Sequence, residues 1–465
     1  MASHTGPYPL EGVRMPTWLL RFDKHAACTS PVTREQLLHT LRNAPPSDLI
    51  FFSHGWNNDF DEAAELYARF LRHFEAHTAA HPVVRANGVP FTPLFVGVVW
   101  PSIWLSFDSG PQIAAAVEPP ASDSAVVEAL IDKLADLGSE ASIERVYALL
   151  ALPRLDETQA LELASLIGPA FGTVHDEETG IGARGTSVDE LLSMWRAMQQ
   201  AQDGGSTPAP SLDDWGVPPA DAAESQGGGA APLETAGLFS FLDPRNALRL
   251  FSVYQMKDRA GLVGARGVAP LLRDVLQAAP AVGVHAVGHS YGCKVMLSAV
   301  CAPASLPRPL SSLLLLQPAV SHLSFADDIP RIGRPGGYRA SLTPERVRPP
   351  ILSTYSRNDF ALHETFHLAL RRDSDLGEQP IDMAAGDDAT SAGKPPSNFA
   401  ALGGYGPRRA GQRLIDPMPA AGAPYPDFAP AHPIVGLDGS QGLIGGHGDV
   451  TSPATAWALY RLVTR

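Results

Sequence analysis

AVGHSYGCKV, residues 286–295, runs from a short apolar strand pattern into a glycine-flanked serine and then into a helical pattern. Gly288-His289-Ser290-Tyr291-Gly292 fits G-x-S-x-G. A serine at a sharp strand-to-helix turn takes a strained backbone conformation that exposes its hydroxyl. Glycines two residues away on each side let neighbouring chain approach closely. The helix that follows aims its first N–H groups at developing negative charge. As a bare string the pattern arises often by chance. The strand–turn–helix setting makes Ser290 the candidate nucleophile, with Gly288, His289 and Gly292 as its elbow. The bland reading is a glycine-rich structural turn.

Outward from this stretch, further apolar runs have the length of strands buried on both faces. They are WLLRF (18–22), DLIFFSHG (48–55), PLFVGVVWP (93–101), SSLLLLQPAV (311–320) and PILSTYS (350–356), beside VHAVGHS (284–290) itself. Continuous apolar runs suit a parallel sheet, whereas half-exposed strands alternate. Helical patterns lie between them at 61–77, with Asn58 or Asp59 as N-cap, and at 267–279 and 293–302. Strand–helix alternation predicts an α/β architecture.

The middle of the chain breaks this rhythm. Residues 113–201 carry helical stretches with no strand between them, and 202–245 are rich in Gly, Pro, Ser and Ala, a composition that predicts a loose segment. The expected organisation is one catalytic α/β domain, 1–112 and 246–465. It is interrupted by a helical insertion acting as a cap and by the loose segment leading back. Apolar insertion residues (Val126, Leu130, Leu134, Leu163, Leu166, Ile167) either shelter a substrate or pack on the core.

A serine nucleophile needs oxyanion donors, a base and an acid. Tyr291 N–H, next to the nucleophile, is the first expected donor. FFSHGWNN (51–58) supplies a second strand-to-helix loop, in which Trp56 N–H is the other. In this kind of site the acid and then the histidine follow the serine along the chain. His447 stands in the glycine-rich GLIGGHGDV before a final helical pattern, and Asp359 follows the last strong strand run. Asp327, Asp328 and Asp449 are the rival acids.

HETFH (363–367) also matches the zinc motif H-E-x-x-H. The residues after His367 lack a third histidine, and GEQP (377–380) does not present Glu378 from a helix. The expectation is therefore no metal and no cofactor.

Together His54–Asn58, Trp100–Ser102, Gly288–Gly292, Asp359 and His447–Val450 resemble the α/β-hydrolase superfamily, in particular its bacterial serine hydrolases with an HGWNN-type loop and a GHS-x-G elbow. The resemblance covers roughly 1–112 and 246–465. It implies an eight-stranded, mostly parallel sheet, acyl-enzyme chemistry and no metal; two strands of that sheet have no evident counterpart in the sequence. Asn57, Asn58 and Ser102 match recurring positions without an assigned catalytic role. The expected activity is esterase- or lipase-like, on a small-molecule or lipid-like acyl substrate. An amidase with the same triad, a zinc peptidase and a non-catalytic partner-binding relative are the alternatives.

The 465-residue chain has a net charge of −14 and 45% hydrophobic residues. The acidic balance argues against nucleic acid as a partner. Three cysteines without a C-x-x-C pair give no disulfide framework. With no signal-like start and no apolar run of about 18 residues, the expectation is a cytoplasmic protein with no integral membrane segment.

Overall fold

A computed structural model describes residues 6–56, 58–84, 88–102, 127, 130–132, 134, 140–171, 187–203, 242–330, 333–366, 400–426, 428 and 431–465. Eight strands form one sheet: β1 (Thr17–Arg21), β2 (Asp48–Ser53), β3 (Pro93–Val99), β4 (Gly283–His289), β5 (Ser312–Leu316), β6 (Ile351–Tyr355), β7 (Arg413–Ile415) and β8 (Ile434–Asp438). Their order is β1-β3-β2-β4-β5-β6-β8-β7, and all seven pairings are parallel. The α/β architecture is thus as expected from the apolar runs.

Successive side chains of each strand enter different cores. Leu49, Phe51, Val96, Val98, Leu313 and Leu315 belong to one apolar cluster; Ile50, Phe52, Phe95, Leu314 and Leu316 belong to the other. This is the period-2 geometry of a strand applied to a run that is apolar at every position. On the second face lie α2 (Phe60–Ala80), through Ala63, Tyr67, Phe70 and Phe74, and the last helix, Pro453–Val463, through Trp457 and Leu459. Asp59, not Asn58, caps α2, in a reciprocal capping box with Glu62. The first face is covered by α1 (Pro31–Asn43), by Pro244–Leu262, by Ala269–Ala278 and by Tyr291–Cys301.

Two expected boundaries differ, and two strands were not placed in advance. The run 311–320 stops as a strand at Leu316, because Gln317 turns with φ +40° and Pro318 has no N–H to continue a ladder. The helix expected at 267–279 is the end of a longer rod: Pro244–Leu262 passes through a π-helical turn, Val263–Val268, into Ala269–Ala278. The two strands without a counterpart in the sequence are β7, three residues long, and β8, whose IVGLD is too short to signal a strand by pattern.

The described part of the insertion is helical, at Glu140–Leu150, Glu157–Ile167 and Val188–Asp203. It closes on itself where Leu155 and Leu242 exchange backbone hydrogen bonds at 2.8 and 2.9 Å. Leu130, Leu134, Leu163 and Ile167 are fully buried in the first-face cluster with Phe251 and Tyr254, and Leu166 packs against it. Of the two roles expected for these side chains, core packing is the one they fill; Val126 lies outside the described residues, as do 204–241 of the loose segment. Among the described residues, no helix is long and apolar enough to cross a membrane.

Candidate active site

The elbow forms where β4 hands over to the helix Tyr291–Cys301. Ser290 has φ 54° and ψ −125°, a region costly for a residue with a side chain. The two flanking glycines account for how the turn fits. A Cβ on Gly292 would stand 2.1 Å from the Ser53 carbonyl oxygen, and one on Gly288 would stand 2.6 Å from Cys293 Cα. Neither position has room for a side chain. The chain on both sides of Gln317 holds the turn: Ser290 N–H donates to Leu316 O at 3.1 Å, and Ala319 N–H donates to Ser290 O at 3.3 Å.

Three side chains far apart in sequence meet here. His447 Nε2 lies 2.8 Å from Ser290 Oγ, and His447 Nδ1 lies 2.8 Å from Asp359 Oδ2. An ionised carboxylate only accepts, so Nδ1 carries the ring proton and Nε2 is left to accept from the serine hydroxyl. Asp359 is itself oriented, since its Oδ1 accepts from Leu362 N–H at 3.0 Å. All three are buried. Of the rival acids, Asp327 pairs with Arg339 and Asp449 accepts from Gly445 N–H, so neither takes this place.

The loop expected to face the oxyanion does lie against the serine. A Cβ on Gly55 would come 2.7 Å from Ser290 Cβ. Two sequence motifs far apart hold this loop together. The Asn58 N–H donates to Ser102 Oγ at 3.1 Å, and that hydroxyl donates back to Asn58 O at 2.9 Å. Asn58 Nδ2 donates to Trp56 O at 2.8 Å. His54 Nδ1 donates to Gly55 O, its Nε2 accepts from Trp100 N–H, and its ring stacks on the Trp100 indole. Asn58 and Ser102 therefore shape the loop from behind. Asn57 lies outside the described residues.

No known family model matches the chain, and neither a curated protein nor a solved structure matches it.

Two positioning residues were not visible as such in the sequence. His289, expected only as part of the elbow, directs Nε2 to the backbone carbonyl of His447 at 3.0 Å, and the two rings stand 5.1 Å apart. Gln317 joins the turn after β5 to the loop that carries His447. Its Nε2 donates to Gly446 O at 3.2 Å, while Thr354 Oγ1 accepts from its N–H and donates to its Oε1, both at 2.9 Å. A polar residue before proline at the end of an apolar run was the available signal. Farther back, Ser356 Oγ and Asn358 Nδ2 both donate to Ile444 O. The glycines around His447 thus do not leave it loose: its loop hangs by the carbonyls of 444, 446 and 447. Gln317→Glu keeps the shape but puts an acceptor against the Gly446 carbonyl. It is expected to lower kcat by roughly 10–100-fold with little change in KM, because small displacements of a reacting group cost about that much. Steady-state kinetics beside a melting curve checks this; an unchanged kcat removes Gln317 from the positioning set.

Burial lowers the His54 imidazole from its ordinary value to about 4, and burial, then the nearby His447 ring, lowers His289 well below its ordinary value. Both are neutral in the folded chain near pH 6, where the unfolded chain binds protons. The unfolded state thus gains protons first as the pH falls. Stability is expected to be full above about pH 6.5 and to fall toward pH 4, by on the order of 1.4 kcal/mol per pH unit for each such histidine. Urea midpoints measured across that range test it; a flat profile contradicts the neutral assignment.

His363 of the HETFH motif is buried, with Nδ1 bonded to Gly404 O at 3.1 Å and its ring stacked on Tyr405 at 4.2 Å. It lies in a π-helical turn, Ala361–Thr365, and not on an ordinary helix as the motif requires. His367 and Glu378 lie outside the described residues. Among the described residues no three His, Cys, Asp or Glu side chains gather as a metal site.

Proposed function

We propose that this chain is a serine hydrolase of the α/β-hydrolase type, acting on a carboxylic ester or a related acyl bond. The observation that carries the reading is the unbroken chain Asp359 Oδ2–His447–Ser290 Oγ, with both links at 2.8 Å, on a serine held at positive φ. In this mechanism Ser290 Oγ gives its proton to His447 Nε2 and adds to the acyl carbon. The N–H groups of Tyr291 and Trp56 receive the developing oxyanion, each worth roughly 3 kcal/mol. Collapse breaks the bond to the leaving alcohol, which takes the proton from Nε2. Water then repeats the sequence on the acyl-Ser290 ester and frees the acid. Asp359 keeps the proton of the resting ring on Nδ1 and steadies the imidazolium.

The insertion, expected from residue 113, follows the β3 end of the chain, where the Ser102 hydroxyl grips the oxyanion loop. In this proposal it is the cap that shapes the acyl side of the site. The substrate is a small or lipid-like ester, and the chemistry takes no cofactor. Because amidases share the nucleophilic machinery, the test is a p-nitrophenyl ester series of increasing acyl length run beside the matching anilides. Turnover of esters that outpaces the anilides supports the esterase reading, faster anilides reassign the class, and no turnover of either counts against an enzyme.

A further inference from the structure

Arg308, Arg348 and Arg465 border one cavity of about 270 Å³ at the opposite end of the sheet, where β2 and β4 begin. Ser290 follows the other end of the seven-residue β4, so roughly 20 Å of strand separates the two places. Elsewhere in this chain of net charge −14, arginines face carboxylates: Arg14 meets Glu75, Arg34 meets Asp274, and Arg145 meets Glu162. None of the three cavity arginines forms an ion pair among the described residues. Asp48 also borders the cavity, but its oxygens are held by His285 Nε2 at 3.1 Å and Ser47 Oγ at 2.7 Å.

The guanidiniums are partly committed. Arg308 donates to the carbonyls of Leu276, Ala279 and Val282; Arg465 donates to those of Pro350, Ser311 and Arg348. With five N–H donors per guanidinium, each keeps two, and Arg348 makes no side-chain hydrogen bond to a described residue. The cations also feel one another. Burial first and Arg348 second lower Arg465 to about 10 and lower Arg308 as well. Like charges held together with donors to spare are stabilised by an anion with several oxygens.

We propose that this cavity binds a small phosphate-bearing anion, held by Arg308, Arg348 and Arg465, independently of the site at Ser290. The carbonyl bonds of Arg308 and Arg465 pre-orient them, and the exposed Arg348 closes the cluster.

The test uses the full chain with inorganic phosphate by calorimetry and by melting, at ionic strength matched with chloride. Phosphate is expected to bind and to raise the melting temperature beyond chloride. Arg348→Ala and Arg348→Glu, which remove no side-chain hydrogen bond or ion pair among the described residues, are expected to weaken phosphate by about tenfold or more, while Ser290→Ala binds as the parent does. Glycerol 3-phosphate in solution and vesicles of phosphatidylcholine with one-fifth phosphatidic acid separate the two sources of a phosphomonoester. Binding to the soluble ester supports the proposal, and binding to vesicles alone overturns it. Equal stabilisation by chloride, no phosphate binding, or unchanged affinity in both Arg348 variants also overturns it.

Discussion

Ser290→Ala is expected to lower kcat for an activated ester by about a millionfold, the scale on which a triad collapses when its nucleophile is lost. The loss is expected to be all chemistry. Ser290 is fully buried, its backbone is tied to Leu316 and Ala319 by main-chain bonds, and alanine keeps those bonds. Near-parental circular dichroism and melting should therefore accompany the lost turnover. A fall of only severalfold would mean that another hydroxyl is the nucleophile. If the fold is lost with the rate, Ser290→Cys, whose somewhat larger thiol still faces His447, carries the comparison.

The second large effect is expected at Asp359. Asparagine at this place offers an N–H₂ to His447 Nδ1 and drives the ring proton to Nε2, where it can no longer accept from Ser290. A loss of about 10⁴ in kcat follows from that tautomer change alone. Alanine is a different experiment. It leaves the His447 Nδ1–H and the Leu362 N–H without their buried acceptor, which adds roughly 1–3 kcal/mol of lost stability for each. Kinetics of Asp359→Asn with a parental melting curve, beside a destabilised Asp359→Ala, is the expected pattern. If Asp359→Asn keeps its rate, another group orients His447.

What could be read from the sequence divides along physical lines. The six long apolar runs were legible because a strand buried on both faces needs no alternation, and each one is a strand of the sheet. The meeting of Ser290, Asp359 and His447 was expected from chain order, although nothing local links residues 157 and 88 positions apart. β7 and β8 were not legible: three and five residues carry too little pattern to stand out, and they join the sheet in reverse of chain order, β8 on β6 and β7 on β8. The roles of His289 and Gln317 were hidden for another reason. Both act through hydrogen bonds to backbone carbonyls of a loop more than 120 residues away, and a carbonyl leaves no mark in the letters of a sequence. The HETFH string matches a zinc motif by its letters alone; its first histidine is engaged by Gly404 and Tyr405.

The most direct measurement is the mass of the intact chain after exposure to a fluorophosphonate, followed by mapping of the modified peptide. One phosphonyl group per chain, on Ser290 and absent from Ser290→Ala and strongly slowed in Gln317→Glu, is the predicted result. A chain that takes up no reagent, or that carries it on a different residue, would contradict the triad at its root.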